Sequence, residues 1–253
     1  MKTQTLSISC LLVFIFFWNC KPDNEVSITG DLKSASTILE GRKVFLKDWY
    51  TRAFVDSCRV TNGKFHFNKM GNAWGFAFRA SIYYETGDPE WPHRVIGYRN
   101  PIHRNYLEST IYAEPGTMEL VLDTIIPRNK TEEVVFTIKE LGEQTGVAFR
   151  HLQFKTDSSK SEANAAYNKS LISRYPFSVE LLETLNLNKS AFDTTNLKEL
   201  MSAFTPSLRK HLAYEKMEAY VSLDNSTGTD FPRDVPVKLP DGSIVRGITD
   251  ETK

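Results

Sequence analysis

Between positions 26 and about 138, apolar and polar residues alternate in short runs broken by turn residues, the period-2 pattern of strands with one buried face. Val26 and Ile28 alternate with Ser27 and Thr29, and Val44-Phe45-Leu46 follows a loop of small and polar residues. Asn62-Gly63 predicts a two-residue type I′ hairpin turn, which needs φ > 0 at both central positions. Its arms are 53–60 and 64–68, with Phe65 and Phe67 on the core face and His66 on the other. Strands are also expected over 74–84, 107–113 and 134–138. Pro115-Gly116 suits a type II turn, followed by a strand over 118–123 that places Met118, Leu120 and Leu122 on one face. Short strands at regular spacing point to an antiparallel β-sandwich or open barrel over 26–154.

The period changes after about 154. Residues 155–161 read as a polar linker, and 155–221 as a small helical segment. Helices are expected over 164–173 and, beyond Tyr175-Pro176, over 178–187, with Leu181, Leu182 and Leu185 on one side. Asn196 with Glu199 fits a capping box opening a helix through Phe204. Thr205 is expected to cap a further helix with Pro206 at its first position and a stripe of Leu208, Leu212, Met217, Tyr220 and Val221. The tail, 222–253, is loop-like except for a hairpin of 235–239 and 243–248 around Pro240-Asp241-Gly242. The fold class is therefore β-rich α+β: a sandwich, a helical segment and a C-terminal hairpin tail.

The N-terminus carries a different signal. Lys2, a polar stretch, an apolar run over 11–18 and then Cys20 compose the first twenty positions. Eight apolar residues make roughly 12 Å of helix against a bilayer core of ~30 Å, too short to span. The segment resembles bacterial lipoprotein signals, which implies removal of residues 1–19, lipidation of Cys20 and a tether over 20–25. The body would then sit in the cell envelope, on the outer membrane facing the periplasm or cell surface. An uncleaved apolar anchor is the alternative.

Lys and Arg total 31 against 31 Asp and Glu, so net charge gives no argument for nucleic acid. Of three cysteines, only Cys58 would remain in a lipidated body, and the sequence has no Cys-x-x-Cys pair for redox or metal work. Cys58 lies in an expected strand without a neighbouring His, which favours an inert thiol.

The run Asp56-Ser57-Cys58-Arg59-Val60-Thr61-Asn62-Gly63-Lys64-Phe65-His66-Phe67 resembles a hairpin of an uncharacterised β domain. That domain lies near the N-terminus of Gram-negative lipoproteins related to thioredoxin-like thiol-disulfide proteins. Ile28-Thr29-Gly30, Ile111-Tyr112-Ala113-Glu114-Pro115-Gly116, Ser173-Arg174-Tyr175-Pro176-Phe177-Ser178, and Phe231-Pro232 with Leu239-Pro240-Asp241-Gly242 are similar to further parts of it. The paired-cysteine motif of the redox domain is absent from this sequence. The resemblance thus implies architecture and envelope location, and no catalytic residue.

The most unusual stretch is 91–106, with three Arg and two His among Trp and Tyr in an otherwise neutral chain. Trp91, Arg94, Tyr98, Arg99 and Arg104 are candidate ligand contacts, since Arg forks and aromatic faces suit carboxylate, phosphate or sugar groups. The alternative is a long connection with solvated Arg. His93 and His103 match no metal-site spacing, and neither a Gly-x-Ser-x-Gly elbow nor a Gly-rich phosphate loop occurs. The acidic residues of 162–220 read as solvated helix faces.

The expectation is a non-catalytic, lipid-anchored envelope protein without cofactor, whose β domain meets an envelope protein or carbohydrate partner. Two alternatives stand beside it. One is a thiol-disulfide oxidoreductase that has lost its redox domain. The other is an anion- or glycan-binding module.

Overall fold

The computed structural model describes residues 25–33, 39–70, 77–127, 132–156 and 161–226, with 237–238 and 244–245. The expected leader over 1–19, Cys20, most of the expected tether, Trp74 and the expected turn at Pro240-Asp241-Gly242 lie outside the described residues. The fold is strand-rich and mixed, with a six-stranded sheet, a five-stranded sheet and five α-helices among the described residues.

The first sheet runs β4 (Lys64–Met70), β1 (Glu25–Asp31), β10 (Gly116–Pro127), β11 (Glu132–Ile138), β7 (Gly97–Arg99), β8 (Leu107–Glu108). The second runs β3 (Phe54–Arg59), β2 (Lys43–Asp48), β5 (Phe78–Glu85), β6 (His93–Val95), with β9 (Ile111–Ala113) also on β5. The expectation of purely antiparallel pairing is corrected, because β1 pairs β10 and β11 pairs β7 in parallel. Parallel neighbours must be distant in sequence, so alternation within each strand cannot announce them.

Alternation does fix the buried faces. Val26 and Ile28 in β1, and Met118, Leu120 and Leu122 in β10, are all buried. One hydrophobic cluster joins residues of both sheets, among them Ile28, Phe67, Leu120 and Phe136 from the first and Val44, Leu46, Ile82 and Tyr84 from the second. The Asn62-Gly63 turn forms with φ of 54° and 68°, but its two arms part, β3 into one sheet and β4 into the other. Only the Thr61–Lys64 bridge survives of the expected hairpin. The Pro115-Gly116 turn likewise passes from β9 in the second sheet to β10 in the first.

Five helices follow: α1 (Glu143–Ala148), α2 (Ser161–Arg174), α3 (Val179–Leu187), α4 (Thr194–Ser202) and α5 (Leu212–Ser226). Ser178 caps α3 by accepting from the Leu181 N–H. The cap of α4 is Asp193, which accepts from Asn196, so the helix opens three residues before the expected capping box. Pro206 starts a short 3-10 turn (Pro206–Lys210), and α5 begins separately after His211. Leu208, Met217 and Val221 are buried as the stripe predicts, whereas Leu212 is 46% exposed. The reason is the break at His211, which resets the rotational phase. In the tail, Val237 and Lys238 pair antiparallel with Val245 and Ile244.

A second hydrophobic cluster ties these helices to the strands. It combines Tyr112 of β9, Ala77 before β5 and Val147 of α1 with Leu181, Leu182, Leu185, Leu200 and Met217. The helices therefore pack on one end of the second sheet, and their junction contains the groups considered next.

Candidate functional site

A chain of hydrogen bonds sets the junction. Glu114, in the turn after β9, accepts from the Gln144 and Thr145 N–H groups at the start of α1, a cap that Gly142 cannot supply. Burial pushes the Glu114 carboxyl up. The Thr145 hydroxyl accepts from the Tyr112 N–H at 3.0 Å and donates to the Tyr112 carbonyl at 3.3 Å, fastening α1 to β9. Gln144 then donates to the Phe177 carbonyl and accepts from the Val179 N–H, fixing the first turn of α3. Thr145→Val keeps the shape and removes both bonds. It should lower stability by about 1–3 kcal/mol, the cost of a buried unsatisfied N–H, as read in a denaturant melt.

With α3 held this way, Glu180 and Glu183 point back at the strands. Tyr112 Oη lies 2.9 Å from Glu180 Oε2 and 3.1 Å from Glu183 Oε2. Arg79 of β5 approaches Glu180 at 3.9 Å, bonds Thr110 through its Nε and stacks on the Trp49 ring at 4.7 Å. Arg52 covers the same ring at 4.6 Å. His211 Nδ1 accepts from the Ala213 N–H, and its Nε2 faces Glu183 Oε1 at 3.9 Å.

Of these groups, Arg79, Glu183 and His211 line a cavity of about 350 Å³, within the range of small-ligand sites. The part-buried Arg79, Glu183, His211 and Asp48 share the lining with the exposed Tyr50, Lys210, Leu212 and Glu215, and Phe78 adds an apolar side chain. Glu183 is 18% exposed, and its carboxyl is pushed up to about 7, first by burial and then by Glu180 and Asp48 acting against Tyr112 and Arg79. Burial lowers the basicity of His211, which agrees with an acceptor Nδ1. Burial, with both glutamates adding to it, drives the Tyr112 phenol well above its ordinary value. Glu183 and the Tyr112 phenol, flanked by the Arg79 guanidinium and the His211 imidazole, can thus hold a proton between them beside the cavity.

The sequence offers no view of this site. Glu180 and Glu183 look like a solvated face at helical spacing, which the structure corrects. Their cover comes from β9 and β5, and Tyr112 lies 68 and 71 positions away. An i, i+3 glutamate pair on a leucine-rich helix is the one local trace.

The residues singled out in 91–106 do not converge. Ile96 is fully buried where the chain crosses between sheets, so Arg94 in β6 belongs to one sheet and Arg99 in β7 to the other. Arg99 binds Asp123 at 2.6 Å, and Trp91 is 66% exposed on the β5–β6 loop. Arg104 is exposed in the turn before β8. Tyr98 is fully buried, so it presents no face to a ligand, and burial drives its phenol well above its ordinary value. His93 stacks against Phe45 and Phe54 on the second sheet, whereas His103 pairs with His151 at a ring distance of 5.2 Å. Among the described residues no three His, Cys, Asp or Glu are placed to hold a metal ion. Cys58 is half-buried, and burial pushes its thiol up.

No helix of the described residues is long and apolar enough to cross a membrane. Protein-family models, curated proteins and solved structures, each compared with this chain, return no match.

Proposed function

We propose that this chain is a lipid-tethered envelope protein that binds a small ligand without catalysing a reaction. In this reading the two sheets are the layers of a β-sandwich, and the ligand seat is the cleft where the helices pack on its second sheet. The tether rests on the apolar run over 11–18 and the Cys20 that follows it. The observation that carries the binding role is the cleft: an apolar-sided cavity into which Arg79, Glu183 and His211 converge from β5, α3 and the α5 entry.

The test follows amide NMR shifts of the mature chain during titration with small amines, carboxylates and sugars. Shifts centred on Arg79, Glu183 and Leu212 that vanish in Leu212→Trp support the reading. Leu212 belongs to the lining and is half in solvent, so the larger ring fills the cleft without entering the core. Turnover of any added compound, or no shift at these residues with any class, overturns it.

The glycan-binding alternative keeps one observation of its own. Phe45, Phe54, Tyr83 and His93 cluster on the second sheet, with Lys47 over the Phe54 and Tyr83 rings and Lys43 over Phe45. Phe54 is 48% exposed there. Shifts confined to these residues in the same titration favour that face over the cleft.

A further inference from the structure

The proton inventory around Tyr112 goes further than the presence of a cleft. A phenol has one proton and donates to one carboxylate only. Two carboxylate oxygens at 2.9 and 3.1 Å from Tyr112 Oη are compatible when one carboxyl brings its own proton and donates it to the phenol oxygen. Glu180 faces the Arg79 guanidinium and, at 2.9 Å, is placed to accept the Tyr112 O–H. Glu183 faces His211, whose Nδ1 accepts a backbone N–H and so leaves that ring uncharged.

The charges around Glu183 are unequal. Its own helix contributes Glu180, β9 contributes Tyr112, β5 Arg79 and β2 Asp48; the 3-10 turn contributes Lys210, then come His211 and, from α5, Glu215. Lys216 does not line the cleft, but its ammonium is engaged at the hydroxyl and ring of Tyr50, which does. Arg79 is shared between Glu180 and Glu183, so among the described residues two cations, Arg79 and Lys210, meet four carboxyls, those of Glu180, Glu183, Asp48 and Glu215. An ionised Glu183 would be a largely buried carboxylate that shares Arg79 with Glu180, a costly arrangement that a proton relieves. A ligand cation would relieve it equally well.

We propose that the cleft takes a small amine, whose ammonium group docks on Glu183 in place of the proton held between Glu183 and Tyr112, with its apolar part against Phe78 and Leu212. This rests on the cleft being the ligand seat. The exchange balances: the carboxyl O–H bond breaks, its proton leaves to solvent, and the ammonium keeps all of its own.

The experiment is calorimetry on the mature chain with phenethylamine and cadaverine, and with 2-phenylethanol and 1,5-pentanediol as hydroxyl counterparts. It is run at pH 6 and pH 8.5 in buffers of differing ionisation enthalpy. The amines bind while the alcohols bind at least tenfold more weakly; close to one proton is released per amine at pH 6, and almost none at pH 8.5. Glu183→Gln abolishes the proton release and weakens the amines, with an unchanged circular-dichroism spectrum showing that the fold survives. Equal binding of amine and alcohol, amine binding without proton release at pH 6, or proton release that persists in Glu183→Gln overturns this inference while leaving the cleft as a seat. Silence from every compound here and in the wider NMR titration removes the seat and the inference together.

Discussion

At pH 8 the Glu183→Gln variant melts above the natural chain, and at pH 5 the two melt close together. The sign follows from linkage. A carboxyl raised from its ordinary 4.5 to about 7 by folding contributes stability that is complete below 4.5 and is lost as pH rises through about 7. At about 1.4 kcal/mol per unit, the loss is at most about 3 kcal/mol at pH 8, or on the order of 6–12 °C in a chain of this size. Gln keeps a hydrogen-bonding group beside Tyr112 and cannot ionise, so it escapes the loss. His211 acts in the opposite direction and in a lower window. Its basicity is lowered, so its contribution is present above 6.5 and disappears as pH falls through its folded value. Comparing variant with natural chain at each pH separates the Glu183 contribution from that of His211. Equal melting of both at pH 8 would show that Glu183 ionises freely.

The second large effect lies in the core. Gly30→Ala lowers stability by about 3 kcal/mol, measured as a shift of the denaturant midpoint at unchanged slope. A Cβ at position 30 would sit 2.0 Å from the Phe65 ring, the partner of Gly30 across the β1–β4 ladder. That ring cannot retreat, because it is buried and packed on edge against Phe67 at 5.7 Å and Phe136 at 5.9 Å. Ala is the better strand residue by roughly 0.5–1 kcal/mol, too little to offset the collision. Gly30→Ala combined with Phe65→Leu should recover part of the loss, since the shorter side chain vacates the space. A single variant as stable as the natural chain would mean that Phe65 does not lie over Gly30.

Local chemistry was legible, and partnership was not. Alternation identified Val26, Ile28, Met118, Leu120 and Leu122 as core, and Asn62-Gly63 as a turn of positive φ. Nothing in that turn tells that β3 and β4 enter different sheets, because a strand records its own buried face and not its neighbour. The α1 helix, six residues long, is too short to show a helical period, yet its Thr145 bonds β9 and its Gln144 bonds the start of α3. The stretch around Arg94, Arg99 and Arg104 reads as one cluster on paper because Ile96 looks like an ordinary apolar residue. In the fold it is the point where the chain changes sheets. Glu183 escaped notice for the same reason: what raises its proton affinity is the burial given by elements far along the chain.

The account turns on a single ionisation in the cleft between strands and helices. A carbon-13 NMR titration of the glutamate carboxyls from pH 4 to 9, with the Glu183 signal assigned by its loss in Glu183→Gln, reads it directly. The expected midpoint for Glu183 is near 7. A midpoint near 4.5, the value of a solvated glutamate, would contradict it.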